Sequence, residues 1–294
     1  MAMMIIKNHV RSISLPSRSH PSTAAIEESL DKLLITMNTK TMASSSESVY
    51  SGLKGLEDLY DCTEDLLKMG PTQSVLSFND ERKKIQREFM EEMLDGSLRL
   101  MDICNVSRDL IVETHEHVLV LQSRARRRKD VDYSGYVGFR KNMRKEVKKL
   151  LGSLKNINVG LAMRERDHDQ DGDVQFLAVI HTMRRVVSMT VSVLKSFLEF
   201  LSGRQNGKDI RSKLAMVLIM NKKFHDHDLI VKNELKSVDS AISGDSCSQE
   251  DLHKKLEDLE VLIGRFDQSL EGLFRGLIRT RASLLNIISQ QMYM

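Results

Sequence analysis

The chain has 294 residues, 44 basic against 41 acidic side chains and a formal net charge of +3. That near-balance gives no general ground for nucleic-acid binding, and nucleic acid is not an expected partner. Its three prolines, Pro16, Pro21 and Pro71, leave 72–294 proline-free, where average usage of about 5% would place roughly eleven. Proline breaks helix interiors, so this absence, with a vocabulary of Leu, Met, Lys, Glu and Arg, excludes a strand-rich fold and favours long helices.

The first 26 residues carry no acidic side chain and are rich in Ser, Arg and His. The composition suits a disordered regulatory tail, taken as 1–23, and equally a plastid transit peptide. Within it, Arg11, Ser14 and Pro16 match a phosphoserine-adaptor pattern: the arginine lies three places before the serine and the proline two after. A phosphate on Ser14 adds about two negative charges to a cationic segment, which an arginine-lined adaptor pocket would bind.

A helical bundle is expected over 24–294. The first helix runs from Ala24 to about Asn38, and a second restarts with Ser44 and Glu47 at capping-box spacing and ends near Gly70-Pro71. A long helix follows from about Asp80 to Arg128, with Asp95-Gly96 or Asn105 as places to kink or divide it. Another fits Tyr136 to about Asn158.

The acidic stretch Asp167 to Asp173 then reproduces the first half of an EF-hand loop. Its twelfth position is Ala178, not the bidentate glutamate calcium requires, so a solvated acidic loop is the expectation. Phe176, Ile180, Met183, Val187, Thr190, Leu194, Phe197 and Leu201 repeat a four-three beat. No apolar run there reads as membrane-spanning, because Lys195 and Glu199 interrupt it. A penultimate helix is expected from Asp209 to about Ile242. Ser248 and Asp251 cap the last one, whose seam is Leu252, Leu256, Leu259, Ile263, Phe266, Leu270, Leu273 and Leu277. Leu262, Phe274 and Ile288 widen that face, favouring an intrachain bundle over a two-stranded zipper, with the two seams packed together. The expected class is therefore all-α: an elongated bundle of long antiparallel helices with an N-terminal tail.

No constellation reads as catalytic. His115/His117 and His225/His227 are two apart and point to different sides of a helix, and no P-loop, dinucleotide fingerprint or nucleophile elbow occurs. Neither metal nor cofactor is expected. Cys62, Cys104 and Cys247 are few and far apart, which reads as reduced thiols and a cytoplasmic location.

The charge imbalance is local. Arg124, Arg126, Arg127, Arg128, Lys129, Arg140, Lys141, Arg144, Lys145, Lys148 and Lys149 face only Asp130, Asp132 and Glu146, an excess of +8. Such a patch fits an anionic membrane surface or an acidic partner, against the alternative of a solvated helix face.

The stretch Asn8-His9-Val10-Arg11-Ser12-Ile13-Ser14-Leu15-Pro16-Ser17-Arg18-Ser19-His20-Pro21 resembles the opening signature of the plant-specific BYPASS-like family. Leu273-Phe274-Arg275-Gly276-Leu277-Ile278-Arg279-Thr280-Arg281-Ala282-Ser283-Leu284-Leu285-Asn286-Ile287-Ile288 resembles its closing one. Ile13 stands where a polar residue is usual, and Gly276 where a basic one is. The resemblance implies a part in root and shoot development and in control of a root-derived signal, with the chloroplast as alternative compartment. It carries no catalytic residues. The functional expectation is a non-enzymatic interaction or regulatory protein acting through helical protein contacts, the alternative being a peripheral membrane protein docked by the 124–149 patch.

Overall fold

The computed structural model describes residues 21–38, 45–77, 83–127, 132–165, 174–203, 233–244 and 248–291. Among these the regular structure is helical throughout: α1 Pro21–Asn38, α2 Ser46–Lys68, α3 Gly70–Leu76, α4 Lys83–Arg126, α5 Ser134–Glu165, α6 Val174–Ser202, α7 Glu234–Ser243 and α8 Gln249–Gln291. At 1.5 Å rise per residue, α4 and α8 are each about 65 Å long. They set the length of an all-α, elongated bundle.

α8 lies along α4 on one side and α2 on the other, α6 lies against α5 and α2, and α4 and α5 adjoin to close a ring of five helices. α1 sits over α2 and α6, and the short α7 rests on α8. The ring forms because each helix carries one apolar stripe. All eight seam residues of α8, from Leu252 to Leu277, are buried, as are Phe176, Ile180, Met183, Val187, Leu194, Phe197 and Leu201 of α6. The two seams do not run side by side, however. α8 spends its broad face on α2 and α4, and meets α6 across the core through rings: Phe266 stands edge-on to Phe197 at 5.3 Å and to Phe200 at 5.4 Å.

The helix ends follow local chemistry. α1 starts at Pro21, three residues before the expected boundary. α2 is capped by Ser45, whose hydroxyl accepts from the Ser48 amide at 3.2 Å, one residue after the expected Ser44 cap. Pro71 begins α3 as well as ending α2, because a first-turn proline gives up a donor that has no intrahelical partner anyway. α4 runs unbroken through Gly96 and Asn105, its inward face anchored by Met93, Leu100, Ile103 and Ser107. α7 is a separate helix rather than the end of one begun at Asp209: Asn233 is extended (φ −125°, ψ 111°) and caps it by accepting from the Lys236 amide at 2.9 Å. The stretch 204–232 lies outside the described residues. Ser248 caps α8 as expected, its hydroxyl accepting from the Asp251 amide at 3.1 Å.

By length and composition α6 is apolar enough to cross a bilayer, which corrects the expectation that no such run exists. In this fold 67% of its most apolar stretch is buried inside the bundle. It also carries Arg184, paired with Glu92 of α4 through Nε–Oε1 at 3.2 Å and a terminal nitrogen to Oε2 at 2.9 Å, both side chains 8% exposed. Gly276, the departure from the resembled signature, is required by packing: a Cβ there would stand 2.7 Å from the Cβ of Tyr60 on α2.

Candidate functional site

The basic region is one patch in sequence, and the fold divides it into two populations. Phe139, Met143, Val147, Leu150 and Leu154 set the inward face of α5. Arg140 lies at the edge of that face and turns in. Only 2% exposed, it gives Nε to Asp239 Oδ1 at 2.9 Å and a terminal nitrogen to Oδ2 at 2.8 Å, while its other terminal nitrogen donates to the Leu201 carbonyl at 3.0 Å. Arg144 also reaches Asp239 Oδ2, at 2.8 Å, and the Ser202 carbonyl at 3.3 Å. Tyr136 donates its hydroxyl to Asp239 Oδ1 at 2.9 Å, and burial together with that carboxylate holds its phenol above the usual range. These residues clasp the C-terminal carbonyls of α6 to α7, and Asn233 joins them by donating to the Phe200 carbonyl at 3.0 Å. Arg140 is therefore a structural cation and is withdrawn from the docking patch, because it is buried against a carboxylate of α7; Arg144 shares that one carboxylate but stays half exposed, so the clasp keeps a net charge of +1.

The remaining cations face out. Lys141, Lys145, Lys148 and Lys149 are exposed along α5, with Lys155 beyond them; Arg124 and Arg126 lie in the last turn of α4, and Arg127 follows it. Lys149 bonds Glu146 at 2.7 Å, and Arg124 donates to the Asp132 carbonyl at 2.5 Å. Lys141, Lys145, Lys148 and Lys155 have no ion pair among the described residues. Arg128 and Lys129 lie outside those residues, as do Arg11, Ser14, Pro16, the acidic loop 167–173 and the His225/His227 pair.

Two open clefts adjoin this helix. One, of about 320 Å³, is lined by Arg144, Val147, Lys148, Leu151, Ser202 and Gly203, where α6 ends with Gly203 at φ +69°. The other, of about 350 Å³, separates α4, α5 and α6, and its charged walls are largely committed to one another: Glu92 to Arg184 and Asp95 to Arg99 at 3.0 Å. Other interior polar groups serve the fold similarly. The Tyr60 hydroxyl bonds Thr190 Oγ1 at 3.1 Å, and burial pushes the Cys104 thiol up to about 12, which makes it an inert core side chain near neutrality. His115 lies 3.7 Å from Glu260 and His117 stacks on Phe139 at 4.4 Å between ring centres. Among the described residues no group of His, Cys, Asp and Glu gathers at metal-binding distance.

Sequence reasoning missed Asp239, which organises the clasp, and the acidic face of α4. Asp102, Asp109, Glu113 and Glu116 are exposed there, with no ion pair among the described residues. Counting acids by helical phase, as was done for apolar residues, would have found that face.

Among the described residues these features define an all-α bundle in which the buried Arg140–Asp239 and Arg184–Glu92 pairs tie helices together and a row of unpaired lysines lies on the exterior. The chain belongs to the family described as Protein BPS1, the plant BYPASS family, whose model matches residues 52–287. That match takes in nearly all of the closing signature and begins after the opening one. No curated protein and no solved structure matches the chain. The family is not a known enzyme family, and membership points to a role in plant development.

Proposed function

We propose that the protein is a non-enzymatic interaction protein of root and shoot development that acts through the outer faces of its long helices, chiefly the basic row on α5. One observation carries this reading: Lys141, Lys145, Lys148 and Lys155 project from one helix with no compensating carboxylate among the described residues, whereas the neighbouring Arg140 and Arg144 both bond Asp239. Lysines left unpaired on a face without acids are available to an acidic surface at little desolvation cost. A phosphate on Ser14 would add a second, regulated contact through an adaptor.

The test is complementation of a plant lacking the protein. A K141E/K145E/K148E variant, shown to be folded by its helical circular dichroism, is expected to fail to restore root and shoot growth. Full restoration would overturn the reading. Docking to anionic lipid is the second reading. It is favoured by exposed Val137, 55% accessible, one helical turn before Lys141 on the same side of α5. Sedimentation of the full chain with anionic vesicles at low and high salt separates the two, because a lipid-docking face must bind such vesicles and release them as salt rises.

A further inference from the structure

The unsatisfied acids of α4 and the unsatisfied lysines of α5 lie on neighbouring helices. At about 100° per residue, Asp102, Asp109, Glu113 and Glu116 fall within roughly 60° of arc on the outer side of α4. Lys141, Lys145, Lys148 and Lys155 fall within roughly 80° on the outer side of α5. Each row repels itself, since Asp109 and Glu113, like Lys141 and Lys145, stand one helical turn apart with like charge. Within the chain the rows do not relieve each other, because both project outward from side-by-side helices and no ion pair joins them.

They are nevertheless in register. His117 of α4 stacks on Phe139 and stands edge-on to Tyr136 of α5, while Gly96 shares a cleft with Asn156 and Gly160. Advancing along α4 therefore means retreating along α5 by the same number of residues. At that register Glu113 is level with Lys141, and Asp109 with Lys145.

From this juxtaposition we propose that the occupant of these faces is a second copy of the chain, joined as a two-fold dimer about an axis parallel to α4 and α5. Such a rotation exchanges left for right and keeps height along the bundle. The acidic row of each copy then lies on the basic row of the other, with Glu113 opposite Lys141 and Asp109 opposite Lys145 in two equivalent places. The same rotation brings Val120, 46% exposed on α4, to within about a turn of Val137 of the other copy, giving the charged contact an apolar end. Gly138 and Gly152 have open space where a Cβ would point, so the α5 backbone admits close approach there. A single molecule supplies both complementary surfaces at matching heights, a coincidence that an unrelated acidic partner or a lipid surface does not require.

This inference rests on the reading of the outer faces as contact surfaces and names their first occupant. It is tested on the purified full chain by light scattering coupled to size exclusion, at low and high salt. The wild type is expected to have the mass of a dimer at low salt and to shift toward the monomer at high salt. K141E/K145E and D109K/E113K each place like charges opposite like, so each alone is expected at half the wild-type mass. Mixed, they are expected to recover the dimer, because every contact between the two variants again pairs opposite signs. A monomeric wild type at low salt, a dimer indifferent to either reversal, or a mixture that stays monomeric would overturn self-association. If the wild type is monomeric and K141E/K145E abolishes binding to anionic vesicles, the lysine row serves lipid and the dimer is excluded. Failure of the charge-reversed plant to recover, with a monomeric wild type, would leave the interaction reading standing without self-association.

Discussion

Replacing Asp239 by alanine should destabilise the bundle more than any exposed charge change, because it strands a buried cation. Arg140 is 2% exposed and Asp239 18%, and the pair is joined by two bonds of 2.8–2.9 Å. Removing one partner of a buried ion pair costs about 3–5 kcal/mol, mainly as the desolvation of the charge left behind. Arg140 would retain the Leu201 carbonyl and the Met143 sulfur, and water can enter where Asp239 was partly exposed. The cost should therefore fall near the lower end, about 3 kcal/mol, with little added by the half-exposed Arg144. Urea unfolding followed by helical circular dichroism gives the global value. Amide hydrogen exchange across α7 and the last turn of α6 reports the loss where the clasp acts. R140M/D239A should lose less than D239A alone, since an apolar pair leaves no uncompensated charge. A D239A protein within about 0.5 kcal/mol of wild type, or a double variant as damaged as the two single changes together, would refute the electrostatic account.

Glycine-to-alanine changes should have opposite signs at two helix-interior positions. At Gly96 nothing lies within 4 Å of an added Cβ, so G96A should gain about 0.5–1 kcal/mol of helix stability. At Gly276 the new atom meets Tyr60 Cβ at 2.7 Å, so G276A should cost about 1–3 kcal/mol; urea midpoints check both. Stability should also fall in alkali. Burial raises Cys104 from 9.0 to about 12 and lifts the Tyr60 and Tyr136 phenols above their ordinary 10.0, so the folded state prefers the neutral forms. That preference contributes fully below about pH 9, where the unfolded groups are also neutral, and is lost as pH climbs toward and past 12. Urea midpoints measured from about pH 8 to about pH 11 should decline, and less steeply in Y60F/C104A; an unchanged slope in that variant would show that these groups are not responsible.

Much of the architecture was legible because core burial obeys a period. Every α8 seam residue is buried, and a charged side chain at any of those positions would have broken the pattern visibly. Partner choice was not legible, since α6 and α8 carry similar stripes and the beat alone does not say which helices meet. Helix ends were legible to a residue or two where a side chain caps the backbone, as at Ser248. They were misplaced where two serines compete, as at Ser44 and Ser45, and where one long polar-apolar stretch hid the cap at Asn233.

The basic patch shows why a charge census needs phase. Arg140 and Lys141 are adjacent in sequence and equal in formal charge, yet one is buried against a carboxylate 99 positions away and the other faces water. The distinction was available from α5 itself: Phe139, Met143, Val147, Leu150 and Leu154 fix its inward direction, and Arg140 falls at the margin of that arc while Lys141, Lys145 and Lys148 fall opposite it. A long side chain at such a margin can carry its charge inward only if another element supplies an acid, and that acid, Asp239, could not be assigned before α7 was placed. Phase therefore separates the lysines available to a partner from an arginine that needs one inside the fold. Applied to α4, the same sorting isolates the acids that lie level with those lysines.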